Sequence, residues 1–94
     1  MSEFEARMEA LRSRFRDRAV SESERLTAAL IAGDRSELRR ACHSLTGNAG
    51  MFGFPELSRQ AALTESAIED GECAERIEEL TRAVVTALDA MQTR

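Results

Sequence analysis

The chain has 94 residues, 43% hydrophobic and 32% charged, with four Phe, no Trp or Tyr, one Pro and five Gly, a composition that predicts one small helical domain over residues 1–94. Seventeen acidic against 13 basic residues leave a net charge of −4, which excludes nucleic acid as the main partner because phosphate backbones call for a net basic face. No apolar run approaches the roughly 20 residues that span a bilayer, and the N-terminus lacks a basic start and an apolar h-region, so a cytoplasmic location and no membrane partner are expected.

Ser2 with Glu5 three residues later reads as a capping box. Phe4, Met8, Leu11, Phe15, Ala19, Leu26 and Leu30 then continue one helical stripe from about residue 3 to about residue 32. Ser21-Glu22-Ser23-Glu24 offers a second capping box and with it a break near residue 20. Gly33 suits the left-handed position after that segment, and Asp34 with Glu37 opens the next helix by the same cap logic. Its apolar positions are Leu38, Ala41, Cys42, Leu45, Ala49 and Phe52, spaced by threes and fours, and Gly53 ends it. Pro55 fits the first turn of a further helix with inner positions Leu57, Ala61, Thr64 and Ile68, widened by Leu63 and Ala67. Asp70-Gly71 closes it. The last helix, from about Cys73 to Gln92, carries Ile77, Leu80, Val84, Leu88 and Met91. Short connections force successive helices to run antiparallel, so the expected fold is all-α, an up-down-up-down four-helix bundle. Its stripes are consumed within one bundle, and a monomer is expected.

Cys42 and Cys73 read as two small buried hydrophobes rather than a disulfide in a reducing compartment. One His and two Cys do not make a zinc site of three or four ligands, so no metal is expected. Cys42 directly precedes His43 and on a helix points about 100° away from it, which argues against a thiol–imidazole catalytic pair.

Helical phase isolates the single histidine. With Leu38 at zero and about 100° per residue, the apolar positions of its helix lie within about 60° of the origin and His43 falls near 140°. Arg39, Thr46 and Gly50 share nearly that meridian, with Arg40 and Gly47 beside it. Each interior glycine costs a helix about 1 kcal/mol against Ala. A helical side chain leans back over the preceding turn, so residue 47 is the one that would lie across His43. Gly47 leaves the ring uncovered. Met51 lies two turns on, at the edge of this polar face.

The stretch from Arg40 to Gly53 resembles the histidine-containing phosphotransfer (HPt) family, whose pattern is a His after a small residue, then x-Leu-Lys-Gly-x-Ala, then Gly ten residues after the His. His43, Leu45, Gly47, Ala49 and Gly53 match it in spacing. Leu30-Ile31-Ala32-Gly33-Asp34, Leu38-Arg39-Arg40 and Ser66-Ala67-Ile68-Glu69-Asp70-Gly71 extend the similarity over most of residues 26–71. The departure is Thr46, where the family has Lys. Thr can donate one hydrogen bond but brings no charge, whereas Arg39 and Arg40 could supply a cation. The resemblance implies a phosphorelay intermediate of two-component signalling that is a phosphocarrier rather than a kinase. It would take a phosphoryl group on His43 from a receiver aspartate and pass it to another receiver. The expected partners are response-regulator receiver domains or a hybrid histidine kinase. They would dock on Arg39, Arg40, Thr46, Gly47, Gly50 and Met51, with no cofactor on this chain and Mg²⁺ on the receiver. The rival reading is a phosphorylation-independent helical adaptor of the same shape that binds a receiver or kinase.

Overall fold

The computed structural model describes residues 2–92. Among them the secondary structure is helical throughout: α1 Glu3–Asp17, α2 Ala19–Ala32, α3 Arg35–Met51, α4 Pro55–Glu69 and α5 Ala74–Met91. The first two are arms of one helix bent near residue 18, so the architecture is a four-helix bundle. The packed pairs α2–α3, α3–α4, α4–α5 and α5–α2 close a ring. At its centre lie Leu26, Leu38, Cys42, Leu45, Val84 and Leu88, all essentially inaccessible to water.

The bend falls at Arg18, and the Ser21 capping box does not cause it. Arg18 stays in the right-handed helical region and caps nothing with its side chain. Its amide still donates to Arg14 O, and its carbonyl accepts from the Glu22 amide at 3.0 Å. Ser23 is buried and donates across to Asp89 of α5 at 2.8 Å, so its hydroxyl ties two helices together. Phe15, three residues before the bend, is buried, and its ring stacks on Phe54 at 5.2 Å between centroids and lies 6.1 Å from Phe52. These aromatic residues flank Gly53 in the α3–α4 connection, so Phe15 closes one end of the bundle.

Beyond Phe15, α1 leaves the core. Phe4 is 71% exposed and Met8 and Leu11 are only partly covered, so the first stripe is not consumed in the bundle as its period suggested. The overhang gives the molecule its 47 × 22 × 17 Å extents.

The helix ends follow the cap chemistry. Ser2 Oγ accepts from the Glu5 amide and Asp34 from the Glu37 amide, each at 3.1 Å. Gly33, Gly53 and Gly71 have φ of 69°, 86° and 67°. In each case the residue after the glycine donates to a carbonyl five positions back, Ala29, Ala49 or Ala67, the left-handed cap that only glycine adopts without a Cβ penalty. Pro55 opens α4. Smaller differences from the periodic reading occur on α4 and α5. Ala67 takes the buried place expected for Ile68, Leu63 is exposed, and Thr81 is buried between Ile77 and Val84. Its hydroxyl is satisfied by the Ile77 carbonyl at 2.7 Å. Cys42 is buried but Cys73 is exposed at the start of α5, so the pair is not two core hydrophobes.

Candidate functional site

Helix α3 divides as its phase requires, with Leu38, Ala41, Cys42, Leu45 and Ala49 buried and His43 turned outward, its side chain 74% exposed. The ring does not float free. Its Nδ1 lies 2.8 Å from Glu65 Oε2 of α4, and Glu65 is itself only 16% exposed. A carboxylate only accepts, so the neutral ring donates from Nδ1, and that tautomer has its lone pair on Nε2. Fixing one ring nitrogen through the hydrogen bond of the other is how proteins select an imidazole tautomer.

Sequence reasoning did not identify Glu65. The signal was available, because an antiparallel helix pair sets side by side residues equidistant from its turn. His43 and Glu65 are eleven positions either side of Phe54. Gly50 and Ser58, four positions either side of Phe54, obey the same register, and Ser58 Oγ donates to Thr46 O one turn before Gly50 at 2.7 Å.

The other residues of this face separate into different roles. A Cβ on Gly47 would meet nothing within 4 Å, whereas one on Gly50 would stand 3.3 Å from Ser58 Oγ. Gly47 therefore keeps open space beside the ring. Gly50 serves the close approach of α3 and α4. Thr46 Oγ1 donates to Cys42 O at 2.8 Å, which engages its only donor within its own helix. Arg40 lies 3.2 Å from Glu37, which also binds Arg25. The Arg25 hydrogen bond, helped by Arg40, holds the Glu37 carboxyl below its ordinary range. Arg39 is half-buried, and its side chain makes no hydrogen bond or ion pair with the described residues. Met51 is exposed. Behind the histidine, burial pushes the Cys42 thiol up to about 12, assisted by the Glu65 charge, so Cys42 remains a neutral packing group.

A nucleophilic nitrogen on a rigid helix, clear on one side and hydrogen-bonded on the other, can accept an electrophilic group without rearrangement of the protein. Among the described residues no cluster of His, Cys, Asp or Glu suits a metal ion, and no helix is long and apolar enough to cross a membrane. The sequence matches the Hpt domain family over residues 10–94. The chain belongs to the Hpt domain family. That membership gives it a phosphotransfer role in two-component signalling, in which Hpt domains interact with receiver domains and histidine kinases. No curated protein and no solved structure matches this Hpt domain.

Proposed function

We propose that this Hpt domain is a phosphorelay intermediate, taking a phosphoryl group on His43 Nε2 from a receiver aspartate and passing it to a second receiver. The observation that carries this reading is the Glu65 contact to Nδ1 of an otherwise open imidazole, because it leaves Nε2 as an exposed nucleophile. In the transfer the Nε2 lone pair forms the P–N bond as the P–O bond to the donor aspartate breaks, and that bond's electron pair returns to the aspartate carboxylate. The ring then carries positive charge through its Nδ1–H, and Glu65 stabilises it there. Such transition states are loose and in-line, so placement and charge neutralisation dominate the rate. Mg²⁺ and the reacting aspartate belong to the receiver.

The test is incubation with a panel of phosphorylated receiver domains, scoring acid-labile label on wild type and on His43→Gln. Label is expected on wild type alone. Transfer to His43→Gln would overturn the carrier reading. A folded wild type that binds receivers without taking label from any of them would favour the adaptor.

A further inference from the structure

A phosphoryl group on His43 would bring close to two negative charges to a nitrogen whose fixed neighbour, Glu65, is already acidic. A cation must answer it, and this chain has no lysine at all, since its 13 basic residues are all arginines. Thr46, which stands where the family pattern has Lys, has its hydroxyl bonded to Cys42 O. Of the two arginines in the turn before His43, Arg40 is held by Glu37. Arg39 is unpaired. It also lies on the flank of α3 shared by His43 and Thr46, and residues four apart on a helix have Cβ atoms about 5–6 Å from each other. Helical side chains tilt toward the N-terminus, which carries the imidazole over the turn that bears Arg39.

We propose that Arg39 binds the phosphoryl oxygens on His43, doing from the preceding turn what a lysine at position 46 would do from the following one. The inference rests on the phosphotransfer reading above and concerns only which side chain supplies the charge. A guanidinium suits the task because its fork of N–H donors matches phosphate oxygens. Its lack of an internal partner means that no ion pair has to break when the phosphoryl group arrives.

The experiment measures phosphohistidine formation from phosphoramidate, whose P–N bond breaks with loss of ammonia, on wild type, Arg39→Ala, Arg40→Ala and Arg39→Ala/Thr46→Lys, with circular dichroism on each. Arg39→Ala is expected to slow the reaction about tenfold, the scale of one charge-assisted hydrogen bond lost at a partly exposed site. Arg40→Ala should stay within about twofold of wild type, as for a solvent-exposed charge with a partner of its own. Thr46→Lys should restore most of the rate in the Arg39→Ala background, which a structural defect at position 39 would not allow. Equal rates for wild type and Arg39→Ala, equal losses at positions 39 and 40, or no rescue by Thr46→Lys each overturn the assignment. A folded wild type that takes label neither from phosphoramidate nor from any receiver overturns the carrier reading itself, and the assignment with it.

Discussion

Gly47→Ala tests whether the open space beside His43 is maintained at the expense of stability. The backbone at position 47 is helical, and a Cβ there touches nothing within 4 Å, so the substitution meets neither strain nor a clash. Replacing an interior helical glycine by alanine then stabilises by roughly 0.8–1 kcal/mol. For a domain of this size that raises Tm by about 4–8 °C. Gly50→Ala makes the internal comparison, since its Cβ stands 3.3 Å from Ser58 Oγ, and that hydroxyl is bonded to Thr46 O. Its helix-propensity gain is offset by displacement of a hydrogen bond between helices, and its net effect should fall well short of that at position 47. Urea titration of the three proteins followed by circular dichroism measures both differences. A Gly47→Ala protein no more stable than wild type, or a Gly50→Ala protein stabilised as much, would refute the division of the two glycines. Gly47→Leu, which lays a branched side chain toward the ring, should keep the fold and lower the rate of transfer from a receiver.

Two further outcomes follow from burial. Phe15 is 2% exposed and stacked on Phe54, so Phe15→Ala should cost about 3–5 kcal/mol, while Phe4→Ala in the same stripe should change the urea midpoint little; equal losses would place the overhang in the core. Cys73 should react with a thiol reagent in the native protein and Cys42 only after unfolding. The Cys42 thiol is raised to about 12 when folded against an ordinary 9.0. The unfolded chain therefore releases that proton first, and stability should be lost as pH rises from 9.0 toward 12. A Cys42→Ala variant with an unchanged alkaline unfolding profile would contradict that linkage.

The residues of α3 carried most of what could be read in advance. A single run with a glycine-rich polar face gave the buried set, the outward histidine and the helix stop at Gly53, because period and cap chemistry are local properties. The overhang of α1 escaped that logic, since Phe4, Met8 and Leu11 repeat with the same period whether or not another helix lies beneath them. The choice between Arg39 and Arg40 escaped it too. It turns on Glu37, a neighbour of Arg40 on its own helix, and on Arg25, which comes from α2. Glu65 is the instructive case: its place beside His43 depends on antiparallel register, a relation between two helices that neither stripe contains alone.

The arm beyond Phe15 also governs how the molecule travels through a solvent. A compact globule of this length has a radius of gyration near 12 Å, against 13.7 Å here. The excess reflects one long axis of 47 Å against 22 and 17 Å, so the chain sweeps out more volume than its mass implies. On a sizing column calibrated with spherical standards, one copy will elute as though heavier. The stoichiometry of any complex it forms should therefore be taken from light scattering.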